Sequence, residues 1–164
     1  MTRYLNLAEY LQLAELAVGI DTNTLIRTSR LELADSALHA PGATFSDQEF
    51  YPDLYDKAAV LACRLALNHP LFDGNKRAAW MALAMFVELN DGHFDPDPPN
   101  VDEAEAAVIA IAAHEVEEKW FAQWLRARVR FTAVSGRVVR NIYEFLEGHE
   151  NLAHRSNAPT LHGI

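Results

Sequence analysis

Apolar residues recur at helical spacing through most of the chain. In NLAEYLQLAELAVG (6–19), Leu7, Tyr10, Leu11 and Ala14 share one face. Asn6 stands where an N-cap belongs, Glu9 completes a capping box, and Gly19 ends the helix. TSRLELADSALHAP (28–41) reads as a second helix, capped at Thr28 or Ser29 and closed before Pro41. DLYDKAAVLACRLALNHP (53–70) is a third, with Ala58, Leu61, Ala62 and Leu65 along one face. Pro70 disfavours helical geometry at His69, so this helix is expected to end near Leu67.

The fourth helix runs from about Asn75 to Leu89 and stops at NDG. Every residue between Ala78 and Val87 is apolar. A helix apolar on all sides is surrounded by others, so this one is expected at the centre. FDPDPPN (94–100) reads as a rigid linker, followed by VDEAEAAVIAIAA and EVEEKWFAQWLRARV as two more helices with a break near His114. GATFSDQEFYP (42–52) is a loop or short hairpin whose Phe45, Phe50 and Tyr51 are expected to pack. No alternating strand pattern is long, which predicts an all-α fold of about six helices around a buried central one. The domain is expected over 1–130, with 131–164 an appended extension, partly helical or disordered and ordered at most in its first half.

Composition narrows the partners. The single cysteine, Cys63, lies in an apolar run and reads as a core residue, not part of a disulfide framework or a cysteine zinc site. No apolar run approaches the ~20 residues that cross a bilayer, and the first residues resemble neither a signal nor a transit peptide, so a soluble cytoplasmic chain is expected. The net charge of −9 disfavours nucleic acid. RARVR (126–130) and GRVVR (136–140) are the local basic exceptions, read as solvated faces.

The stretch HPLFDGNKR (69–77) does not fit an ordinary loop. It places Asn75, Lys76 and Arg77 at the start of a buried helix, where unpaired N–H groups already carry partial positive charge. An anion resolves that arrangement, and phosphate fits it. Gly74 would let the backbone approach the anion, Asn75 can donate an amide N–H, Arg77 offers a planar fork, and Lys76 adds a point charge. Asp73 beside an anion makes sense with Mg²⁺ between them. His69 is placed to remove a hydroxyl proton. Leu71 and Phe72 are expected to anchor the loop's apolar side.

HPLFDGNKR resembles the signature of the Fic/Doc (Fido) family, His-Pro-Phe-x-(Asp/Glu)-Gly-Asn-(Gly/Lys)-Arg, and Lys76 in place of glycine resembles its Doc (death-on-curing) branch. The likeness extends over about residues 4–130. It implies the Fido fold, His69 as general base, Asp73 as the Mg²⁺ ligand, and Gly74, Asn75, Lys76 and Arg77 around the phosphates of ATP or another nucleoside triphosphate. Lys76 further implies a reversed nucleotide and protein phosphorylation, with translation elongation factor Tu as target and a Phd-type antitoxin as partner. The alternative within the family is AMP transfer. Leu71 departs from the family's Phe by a swap of similar volume. The extension exceeds the usual Doc length and would be either inert or a cover for the site. The segment 41–52 matches the family's target-docking flap, which gives Phe45, Phe50 and Tyr51 docking as their second reading. Outside the family stand a HEPN ribonuclease, suggested by Arg64 and His69 in RLALNH, and a non-catalytic Fido binding module.

Overall fold

The computed structural model describes residues 1–132. Seven helices dominate: α1 (Leu7–Val18), α2 (Thr22–Thr28), α3 (Leu31–His39), α4 (Leu54–Asn68), α5 (Asn75–Leu89), α6 (Val101–Ala112) and α7 (Glu118–Arg128). A short 3₁₀ turn (Ala40–Gly42) follows α3. Two small antiparallel pairs complete the described fold: β1 (Thr44–Phe45) with β2 (Gln48–Glu49), and β3 (Gly92–Phe94) with β4 (Val129–Phe131). The all-α expectation holds. None of the described helices is long and apolar enough to cross a membrane.

The centre is shared. Every residue of α5 from Ala78 to Val87 is buried, as its pattern predicts. Nine residues of α4 are buried as well, so α4 and α5 form the core together. Ala58, Ala59, Ala62 and Ala66 on α4, with Ala78, Ala79 and Ala82 on α5, are all buried. Such small side chains let two helix axes approach closely. Around this pair, α1 packs on α5, while α3, α6 and α7 pack on α4. Cys63 is buried among them, and burial, followed by the nearby Glu118 charge, pushes its thiol up to about 12.

Several boundaries differ from the sequence reading, among them the start of α7 at Glu118, not Glu115. α2 is a separate helix capped by the Asp21 side chain on the Thr24 N–H. Thr28 closes it and Ser29 is its C-cap, so neither caps the next helix. α3 starts at Leu31 after Arg30, without a side-chain cap. The linker begins after Phe94, because Gly92–Phe94 pairs with Val129–Phe131. Gly92 makes that pairing possible: a Cβ there would meet Val87 Cγ1 at 2.7 Å and Phe131 Cδ1 at 2.8 Å. The strand pair closes an aromatic cluster in which Trp80 lies 5.4 Å from Phe94 and 6.4 Å from Trp124, ring centre to ring centre. Phe131 joins the fold by an edge contact with Tyr55 at 5.0 Å. From residue 133 on, the proposed extension, GRVVR (136–140) included, lies outside the described residues.

The segment between α3 and α4 is a hairpin. Ser46 and Asp47 both have positive φ, 48° and 62°, as a two-residue turn of the primed type requires. Phe45 and Phe50 do not pack: they are 72% and 61% exposed. Two-residue strands leave too little apolar surface beneath them to cover a ring. Tyr51 is half-buried and its hydroxyl donates to Glu118 Oε2 (3.3 Å). Lys57 of α4 fastens the hairpin from below. It is 2% exposed, donates to the Pro41 carbonyl (3.2 Å) and pairs with Glu49 Oε2 (3.2 Å).

The basic run RARVR (126–130), which spans the end of α7 and β4, is paired within the fold. Arg126 pairs with Asp53 and Asp56, Arg128 with Glu103 (2.8 Å) and Arg130 with Asp95 (3.6 Å). That agrees with the reading of this run as a solvated face.

Two outcomes follow. Removing a partner from a fully buried ion pair costs about 3–5 kcal/mol, and the partial exposure of Glu49 lowers the expectation for Glu49→Ala to about 2 kcal/mol in urea unfolding. Gln48→Ala beside it is expected to change stability by less than about 0.5 kcal/mol. With its thiol buried and protonated, Cys63 is expected to resist a thiol reagent at pH 8 in the native chain and to react once urea unfolds it.

Candidate active site

α4 ends one residue later than expected, at Asn68, and His69 is its C-cap in the left-handed region (φ 47°, ψ 57°). Histidine reaches that region more readily than most residues, at a cost of about 1–3 kcal/mol that surrounding bonds must offset. Those bonds are present. The Asn68 side chain donates to the Leu33 carbonyl (3.1 Å). Arg30 Nη2 donates to the His69 carbonyl (2.6 Å), and the Arg30 backbone N–H to that of Pro70 (2.8 Å). The start of α3 therefore braces the end of α4.

On the other side of the loop sits Asn75, the first residue of α5 and 9% exposed. Its Oδ1 accepts from the Leu71 N–H and its Nδ2 donates to the Leu71 carbonyl, both at 2.8 Å. One amide thus satisfies both backbone groups of a buried residue, as a neighbouring strand would. The expected amide contact to phosphate is changed by this: one Asn75 N–H is committed to the loop. Leu71 is buried and anchors the loop as expected, whereas Phe72 is 61% exposed and does not.

Gly74 has a further reason for being glycine. Its φ is 72°, and a Cβ there would lie 2.2 Å from Val18 Cγ1. The end of α1 closes on the loop at this point, so the missing side chain makes room for Val18 as well as leaving the backbone accessible. Asp73 Oδ1 accepts from the Gly74 N–H (2.6 Å).

The start of α5 is electrostatically open. It has no side-chain cap. The Ala78 N–H is the first to close a helical bond, onto the Gly74 carbonyl (2.9 Å). Among the described residues, the backbone N–H groups of Asn75, Lys76 and Arg77 meet no protein acceptor. Lys76 is exposed and Arg77 half-buried, and among the described residues neither has a carboxylate partner. Three open donors and two unpaired cations at a positive helix end are the features that favour an anion. His69 and Asp73, a few residues before this helix start, are exposed, so among the described residues nothing plugs the corner.

The donor set suits Mg²⁺ arriving with a nucleotide. Among the described residues no group of three or more His, Cys, Asp or Glu could hold a metal unaided. Mg²⁺ in nucleotide sites is held by one or two carboxylates plus the phosphates, and Asp73 keeps Oδ2 free of the turn bond. Asp73 would hold the ion, which would draw charge from the phosphates.

The model of the Fic/DOC family matches residues 4–87, more than half of the chain. The chain belongs to that family. It is also 36% identical over 117 residues to the Doc toxin of Mycolicibacterium smegmatis, an alignment covering 71% of this chain and 86% of the relative. No solved structure matches at a significant level. The sequence-predicted residues His69, Asp73, Gly74, Asn75, Lys76 and Arg77 all fall within the matched segment and surround one helix start. Val18, Arg30 and Asn68, which hold that loop, carry no sequence signal, because their partners lie far along the chain. Arg64, central to the ribonuclease alternative, is engaged elsewhere: its Nε pairs with Glu118 Oε1 on α7 (3.0 Å).

Gly74→Ala combines left-handed strain with a steric clash, so it is expected to destabilise the chain by about 2–4 kcal/mol. Val18→Ala in the same chain removes the clash but not the strain. A double-mutant cycle on urea midpoints should give a favourable coupling of about 1 kcal/mol or more between the two substitutions.

Proposed function

We propose that this chain is a Doc-type toxin that moves the γ-phosphoryl group of a nucleoside triphosphate onto a protein hydroxyl, with ATP as the reference donor. The observation that carries the reading is the open start of α5, where among the described residues three backbone donors and two cations have no protein partner, in the same nine-residue stretch as exposed His69. The family match and the Doc toxin relative support a Doc-like toxin of a transferase family.

In this reading the phosphates rest on the N–H groups of residues 75–77, with Arg77 and Lys76 over their oxygens. Asp73 would hold Mg²⁺, which would supply positive charge to the phosphates. His69 takes the proton of the incoming hydroxyl. The hydroxyl oxygen bonds to the γ-phosphorus as the bond from that phosphorus to its bridging oxygen breaks, and the diphosphate leaves with the electron pair. Phosphoryl transfer of this kind depends on positioning and charge stabilisation more than on covalent help, and a braced loop supplies both.

Lys76, standing where glycine accompanies AMP transfer, favours γ-transfer. By the same likeness the acceptor is translation elongation factor Tu and the restraining partner a Phd-type antitoxin, which makes arrested translation the biological outcome. The exposed Phe45 and Phe50 on the hairpin support the docking reading of that segment.

ATP labelled at either the α or the γ position, with Mg²⁺ and elongation factor Tu, tests the assignment. Label from the γ position is expected on the factor, and His69→Ala should reduce it by about 100-fold or more. Label from the α position would establish AMP transfer instead. An unlabelled elongation factor beside another labelled protein in a cell extract would overturn the target.

A further inference from the structure

We propose that Arg30, at the start of α3, is a positioning residue for His69, a role that rests on His69 being the base. Its Nη2 donates to the His69 carbonyl (2.6 Å) and its backbone N–H to the next carbonyl, that of Pro70 (2.8 Å). One residue thus holds two successive peptide units, those on either side of the Pro70 ring.

Nothing local accounts for arginine here. Arg30 is the N-cap of α3, a place that favours side chains able to accept a hydrogen bond. A guanidinium has no acceptor, and α3 has no side-chain cap. Among the described residues Arg30 has no carboxylate partner either. Its side chain instead meets the C-terminal end of α4, where carbonyls lack helical partners and a positive charge is favoured.

The bond falls where orientation matters most. His69 is left-handed at φ 47°, and its Cα–Cβ direction depends on how the following peptide plane is held. Asn68 is fixed through Leu33 and Leu71 through Asn75, which leaves His69 and Pro70 as the span that Arg30 secures. With that span fixed, the imidazole is aimed relative to the start of α5. Without it, residues 69–70 can relax toward ordinary backbone and carry the ring away.

The test uses the full chain with γ-labelled ATP, Mg²⁺ and elongation factor Tu, comparing wild type, Arg30→Ala, Arg30→Lys and His69→Ala. Melting temperatures and the NMR signals of the His69 ring are recorded alongside. Arg30→Ala is expected to lower kcat by about tenfold or more while the KM for ATP stays within about twofold, because the phosphate groups are untouched. Arg30→Lys, which still offers a charged donor, should recover most of the loss. The His69 ring is expected to give one sharp set of signals in the wild type and broadened or split signals in Arg30→Ala, a readout that needs no acceptor. An unchanged kcat in folded Arg30→Ala, or unchanged ring signals, overturns the proposal. So does a loss that Arg30→Lys fails to recover and that follows the melting temperature. If His69→Ala is inactive and Arg30→Ala fully active, the positioning role alone falls. If His69→Ala keeps the wild-type rate, the base assignment falls with it.

Discussion

The reciprocal pair of hydrogen bonds between the Asn75 side chain and the Leu71 backbone is the constraint on which the site depends. Leu71 is buried, so its N–H and carbonyl must be satisfied without water. A side-chain amide carries a separate donor and acceptor spaced to meet a backbone N–H and a backbone carbonyl together, and it does so from the first residue of α5. Leaving either backbone group unmet would cost about 1–3 kcal/mol. The loop and the helix start are therefore one unit, and neither moves without breaking both bonds.

That unit explains an otherwise unfavourable helix. α5 is buried along its body and begins without a cap, with two cations at its positive end. By local rules each feature weakens the helix. The core contacts of α4 and α5 outweigh that cost, and what remains is a fixed set of open donors at an accessible corner. Val18 from α1 and Arg30 from α3 press on the same loop from other parts of the chain. The corner is thus positioned by four helices although its chemistry is written in nine consecutive residues.

Those nine residues were legible in the sequence because mixed charge at the start of an apolar helix has few structural explanations. The helices were legible where periodicity was long: the Asn6–Glu9 capping box forms with bonds of 2.8 and 3.0 Å, and α5 spans Asn75–Leu89 as its pattern requires. α2 escaped because it is seven residues long with only Leu25 buried, too short for a period to show. The pairing of Gly92–Phe94 with Val129–Phe131 escaped because strands of three residues have no alternation to read. Phe45, Phe50 and Phe72 were expected inside because apolar rings usually are, and nothing in their neighbours' identity revealed that two-residue strands and a tight loop leave them outside. Asn75 carried a correct position and an incomplete role. Its bond to Leu71 spans only four residues, yet phosphate was the more conspicuous partner.

The central claim is that nucleotide phosphates rest on the first turn of α5. Backbone amide shifts during titration of the full chain with ATP and Mg²⁺ test it most directly. The account predicts saturable shifts that are largest at Gly74, Asn75, Lys76 and Arg77, with His69 responding beside them. Saturable shifts centred elsewhere, for instance on the ≈ 170 Å³ cavity lined by Asp95, Pro96, Trp124 and Arg128, with residues 74–77 unmoved, would contradict it.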